Sequence, residues 1–121
     1  MRVLVCGGRD FIDLALFMDT MVEIEEKYDL DSNQPITFIQ GGAKGADFLA
    51  KCWANYCGWT CIEYPADWKK YGKEAGYVRN KQMLDEGKPE LVIAFPGGKG
   101  TAMMIKLAKE AGVKVIEIGN T

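Results

Sequence analysis

Four short segments and one helical pair hold the residues of this sequence whose types and spacing suit chemistry. The densest is Pro96-Gly97-Gly98-Lys99-Gly100-Thr101, which follows the apolar run Leu91 to Phe95. An apolar strand that breaks into glycines and ends at a threonine placed to start a helix predicts a loop opening onto a helix N-terminus. Such an end has unpaired N–H groups and partial positive charge, so it suits an anion. Glycines let the backbone come close to that anion. Gly7-Gly8-Arg9-Asp10 and Gly41-Gly42-Ala43-Lys44 repeat the arrangement after two other apolar runs. Asp67-Trp68 follows a third. Asp67 either holds a ribose hydroxyl or caps the next turn; Trp68, with Tyr71, either stacks on a base or plugs the core. Arg79-Asn80 adds a forked guanidinium, the group best shaped for phosphate, next to an amide.

Composition removes many alternatives. The 121 residues contain no histidine, so histidine bases, Ser-His-Asp or Cys-His nucleophiles and histidine metal sites are excluded. Cys6, Cys52, Cys57 and Cys61 form no Cys-x-x-Cys pair, so we expect reduced, small apolar residues and no metal. The formal net charge of −2 argues against bulk binding to nucleic acid. No apolar run nears the ~18–20 residues of a membrane span, and Met1-Arg2 leads straight into a strand without a signal-like segment. A cytoplasmic protein without a membrane partner is expected. Two familiar phosphate motifs fail. The first glycine loop is not G-x-G-x-x-G, and Gly98-Lys99 is followed by Gly100 rather than a hydroxyl residue.

Positioning these loops requires alternating strands and helices. Arg2 to Cys6, Ile36 to Gln40, Thr60 to Tyr64, Leu91 to Phe95 and Val113 to Ile118 read as strands. A first helix follows an Asp13 cap, with Leu14, Phe17, Met18, Met21, Ile24 and Tyr28 as its apolar face. A polar loop from Asp29 to Pro35 follows it. Further helices follow Gly45, run from about Glu74 to Glu86, and pass through Met104, Ile105, Ala108 and Ala111. Four βα units and a final strand predict one α/β domain over residues 1–121: a doubly wound, five-stranded parallel sheet in order 3-2-1-4-5 with helices on both faces. Ligands of such sheets bind beyond the carboxyl ends of the strands, where the order reverses. All the glycine loops should meet there, with Arg9, Lys44, Lys69, Lys70, Lys73 and Lys99 along one basic rim.

The loop at Pro96 to Thr101 resembles the P-G-G-x-G-T signature of the SLOG superfamily, which includes the lonely-guy (LOG) phosphoribohydrolases. The chain as a whole resembles the small YspA/YpsA-related branch. The likeness runs through Val3 to Asp10, Gly41 to Asp47, Pro65 to Trp68, Ala75 to Asn80 with Met83-Leu84, and Ala94 to Thr101. It implies a Rossmann-like fold, a nucleotide or nucleotide-sugar pocket, and a homodimer. The LOG signature continues to a catalytic glutamate, and that position here is Met104. Methionine neither transfers a proton nor stabilises an oxocarbenium ion, although glycosidic cleavage calls for a carboxylate near the sugar.

Two main readings therefore stand together. In the first, the chain binds a phosphorylated nucleotide or ADP-ribose-like molecule as a sensor, carrier or sequestering domain, with no cofactor. In the second, it is an N-glycosidase on nucleoside monophosphates, with Asp67, Asp47, Asp10 or Glu74 in place of the glutamate and Arg79 at the ligand. Single-stranded nucleic acid binding is a third reading, disfavoured by charge.

Overall fold

The computed structural model describes residues 1–30 and 35–119, so residues 31–34 of the expected polar loop lie outside the described residues. The elements are β1 (Arg2–Cys6), α1 (Leu14–Tyr28), β2 (Thr37–Gln40), α2 (Ala46–Cys57), β3 (Thr60–Glu63), α3 (Trp68–Tyr71), α4 (Ala75–Asp85), β4 (Leu91–Ala94), α5 (Lys99–Glu110) and β5 (Lys114–Glu117). All strand pairs are parallel, and the order is β3-β2-β1-β4-β5. The sheet is thus the expected doubly wound one, reversing between β1 and β4.

Strand alternation divides the core into two layers. Val3, Val5, Phe38, Leu91 and Ile93 pack with Phe17 and Met21 of α1 and Ala46, Ala50 and Ala54 of α2. Leu4, Cys6, Ile39, Val92 and Ala94 pack with Met83 of α4 and Met104 and Ala108 of α5. The three buried alanines of α2 allow that helix to lie close to the sheet. Its end is closed by Gly58 in the left-handed conformation, φ +74°. Asp13 caps α1, accepting from the Leu16 N–H at 3.0 Å.

Three local expectations need correction. Helix α1 buries Phe17, Thr20, Met21 and Ile24, while Leu14 and Met18 are exposed. Two overlapping apolar stripes share this helix, and the one containing the Phe17 ring faces the core. Phe17 stacks on Phe95 with ring centres 4.9 Å apart. The segment after Pro65 is not a plain loop: it forms α3 and a 3-10 turn, Gly72–Glu74, that runs into α4. Finally, α5 begins at Lys99 with Gly98 as its N-cap, two residues before Thr101.

Candidate functional site

Beyond the carboxyl ends of the strands lies an open cleft of about 1250 Å³. Its walls come from the loops after β1, β2, β3 and β4, the start of α1, one side of α4 and the first two turns of α5. The β1 and β4 loops are tied together at the reversal of strand order. The Gly8 N–H donates to the Pro96 carbonyl at 2.9 Å, and the Gly8 carbonyl accepts from Phe11 and Ala46 at 3.2 and 3.3 Å.

Most glycines in these loops have an internal reason. A Cβ on Gly7 would lie 2.6 Å from that of Ala46 and 2.9 Å from that of Phe95. Gly45 has φ +77°, and a Cβ there would strike the Gly8 carbonyl. A side chain at Gly41 would strike the Arg79 guanidinium, and one at Gly97 the Thr101 hydroxyl. Gly98 and Gly100 differ. Beyond its chain neighbours and its own helix backbone, a Cβ at either meets no atom of the described residues within 4 Å, and neither has positive φ. Gly100 even sits inside a helix, where glycine is unfavourable by roughly 0.5–1 kcal/mol relative to alanine. Both glycines line the cleft.

No side chain caps α5. The loop-side bond of its first turn is donated by Ala102 to the Gly98 carbonyl at 3.0 Å. The N–H groups of Lys99, Gly100 and Thr101 therefore precede the intrahelical ladder. Thr101 is buried beside Gly97 as the third residue of the helix.

Opposite this end, α4 carries a polar network. The Arg79 Nη1 donates to the Gly41 carbonyl at 2.6 Å, and its Nε to the Asn80 Oδ1 at 3.1 Å. Asn80 is buried, and its Nδ2 donates to the Gly100 carbonyl at 3.3 Å. Among the described residues two of the five guanidinium N–H donors are thus engaged, which fixes the orientation of the fork. Asp47 is 6 % exposed. Its Oδ2 accepts from the Gly41 and Ala43 N–H groups, each at 3.2 Å. The carboxylate in the first turn of α2 thus also shapes the β2 loop. Gln40 shapes the same loop from below, accepting from the Gly42 N–H at 2.5 Å and donating to Glu63 at 3.1 Å.

Burial pushes the Asp47 carboxyl above its ordinary value of 3.8, opposed by the Ala43 N–H, the Arg79 charge and the Gly41 N–H. A raised folded-state value means that the folded protein holds this proton more tightly than the unfolded chain. Stability from this group therefore falls as pH rises from 3.8 through the folded value, and the full cost is present above it. Carboxyl-carbon NMR titration should place Asp47 above 3.8, and Arg79→Ala should raise it further. A midpoint that stays unchanged in the variant would show that the two groups do not interact. Cys6, at the cleft floor, is pushed up to about 12, chiefly by burial, which leaves a neutral thiol.

The structure brings Gly7 to Asp10, Gly41 to Lys44, Trp68, Arg79, Asn80 and Pro96 to Thr101 to one cleft. Asp67 and Glu74 stay out of it, and Asp67 caps α3 by accepting from the Lys70 N–H at 3.1 Å. Of the expected basic rim, Arg9, Lys44 and Lys99 line the cleft; Lys69, Lys70 and Lys73 do not, nor does Tyr71. The lysines sit on α3 and the 3-10 turn, whose exposed faces turn them to solvent. Met104 touches the cleft but is 1 % exposed and packed with the second core layer. Sequence reasoning missed Ile12 and Gly76 as wall residues. Ile12 belongs to the apolar pair Phe11-Ile12 between Asp10 and Asp13, of which Phe11 is buried and Ile12 exposed. Among the described residues no group of three acidic, cysteine or histidine side chains is placed to hold a metal, and no helix is long and apolar enough to cross a membrane.

Comparison with known proteins adds two findings. Residues 1–71 match the sequence model of YAcAr, described as the YspA, cpYpsA-related SLOG family. The match includes the β1 and β2 loops and reaches α3. The Gene 61 protein of Mycobacterium phage D29 is 32 % identical over 126 residues, covering 98 % of this chain and 97 % of its own length.

Proposed function

The chain belongs to the YspA, cpYpsA-related SLOG family, and from that premise we propose that it binds a phosphorylated nucleotide or nucleotide-derived molecule with the phosphate on the β4–α5 loop. Membership suggests a nucleotide-related ligand in general. The observation that carries the finer reading is the pair Gly98 and Gly100, which no contact among the described residues and no positive φ explains. Bare backbone at an uncapped helix start leaves room for an anion to approach the N–H groups of Lys99, Gly100 and Thr101. Arg79, held by the Gly41 carbonyl and Asn80, supplies the counter-charge. Lys99, Arg9 and Lys44 add positive charge to a cleft wall that also carries Asp10, Asp13 and Asp47, in a chain whose net charge is −2. Calorimetric titration with AMP, ADP-ribose and ribose 5-phosphate tests this. Saturable binding of at least one is expected; no binding of any of them at millimolar concentration would refute it.

The role that best fits is sensor, carrier or sequestering domain, because Met104 stands where a LOG hydrolase has its glutamate. The N-glycosidase reading rests on the two candidate carboxylates that reach the cleft wall, Asp47 and Asp10. The two hydrogen bonds that Asp47 accepts from Gly41 and Ala43 shape the β2 loop, which favours a structural duty for it. Incubation with nucleoside monophosphates should release no free base above a protein-free control. Base release that disappears in Asp47→Asn would establish the enzyme instead.

A further inference from the structure

The phosphate reading leaves Trp68 unexplained. The residue is 57 % exposed and belongs to neither core layer, whereas tryptophan is on average well buried. It stands on α3, a single turn that buries no residue of its own. That turn is nevertheless held at both ends, by the Asp67 carboxylate on the Lys70 N–H and by the Gly72 N–H on the Trp68 carbonyl. Gly72 closes it at φ +56°. The turn therefore presents the indole and is not shaped by packing.

The indole lies at the end of a continuous row. Its Cη2 atom reaches α4 at Gly76, where an added Cβ would be 3.8 Å from it. One turn further along α4 are Arg79 and Asn80, and Asn80 bonds the Gly100 carbonyl. Trp68, Gly76, Arg79, Asn80 and Gly100 all line the cleft. An aromatic face thus stands at one end of the row and the bare phosphate loop at the other, with cationic side chains between and around them.

We propose that Trp68 is a stacking platform for a planar base, so that the ligand is a nucleoside phosphate and not a sugar phosphate lacking a base. This rests on the phosphate reading above. The base lies on the indole face, where stacking is tolerant of base identity, and Gly76 keeps the path to Arg79 clear. Sequence alone left Trp68 balanced between this role and a core plug; its exposure and the unburied turn beneath it favour the former.

Calorimetry with AMP and with ribose 5-phosphate, on the wild type, Trp68→Ala and Trp68→Phe, tests the assignment. Wild type should bind AMP at least about tenfold more tightly than ribose 5-phosphate, the size expected for one stacked base. Trp68→Ala should bring AMP down to the ribose 5-phosphate level and leave ribose 5-phosphate unchanged, while Trp68→Phe keeps most of the preference. Equal wild-type affinities would overturn the platform and leave the phosphate site standing. Equal weakening of both ligands in Trp68→Ala would also overturn it, as a structural role for Trp68. If the wild type binds neither of these nor ADP-ribose, the phosphate reading fails and the platform with it; binding of ADP-ribose alone would overturn the AMP preference and so the platform.

Discussion

Gly100→Ala is expected to melt at a higher temperature than the wild type and to bind a nucleoside monophosphate about tenfold or more weakly. The two effects have opposite signs because they have different origins. In the free protein a methyl group at residue 100 meets open space, and the backbone there is helical. Replacing helical glycine by alanine narrows the unfolded ensemble and stabilises the fold by roughly 0.5–1 kcal/mol. For a domain of this size that corresponds to about 2–5 °C. In the complex the same methyl occupies space that the phosphate needs. Pushing an anion back by part of an ångström weakens each bond to the helix-start N–H groups, and tenfold corresponds to about 1.4 kcal/mol. A paired thermal melt and calorimetric titration would read both effects. A stabilised variant with unchanged affinity would show that the glycine has no ligand-facing purpose.

Arg79→Ala should have the largest loss of affinity. A hydrogen bond to a charged group contributes roughly 1.5–3 kcal/mol, so removing the guanidinium should weaken the same ligand about 10- to 150-fold. Unlike the glycine change, this one should also destabilise the free protein. The buried Gly41 carbonyl and the Asn80 amide each lose a partner, a cost of roughly 1–3 kcal/mol for an unsatisfied buried group. Arg79→Lys keeps the charge but loses the fork, and should recover only part of either quantity. Urea unfolding beside calorimetry separates the two. Loss of stability with unchanged affinity would make Arg79 a loop brace alone.

The parallel sheet and its order were legible because each apolar run ends in glycine or proline and each helix announces its start or stop. Asp13, Gly58 and Gly112 are such signals, and the structure uses all three. The phase of α1 was not legible. Leu14 and Met18 overlap with Phe17, Met21 and Ile24 in spacing, and only contact with the sheet selects between them. Helix α3 was hidden because four residues cannot show a period; its cue was the carboxylate of Asp67 ahead of the turn. The candidate site was legible as a set of loops but not as a network. The bond from Arg79 to the Gly41 carbonyl spans 38 positions, and that from Asn80 to the Gly100 carbonyl spans 20. Asp47 was legible as a candidate carboxylate, but its duty toward Gly41 and Ala43 depends on how the β2 loop folds back. The distinction between packing glycines and bare ones is likewise invisible in sequence, since Gly97 and Gly98 are neighbours of the same type with different surroundings.

The central claim is that the start of α5 holds a phosphate. Amide NMR shifts recorded during titration with AMP test it most directly, because each N–H of the loop reports for itself. The account predicts saturable shifts that are largest at Gly98, Lys99, Gly100 and Thr101, accompanied by the side-chain signal of Arg79 and reduced in Gly100→Ala. Saturable shifts centred elsewhere, with these amides unmoved, would contradict it.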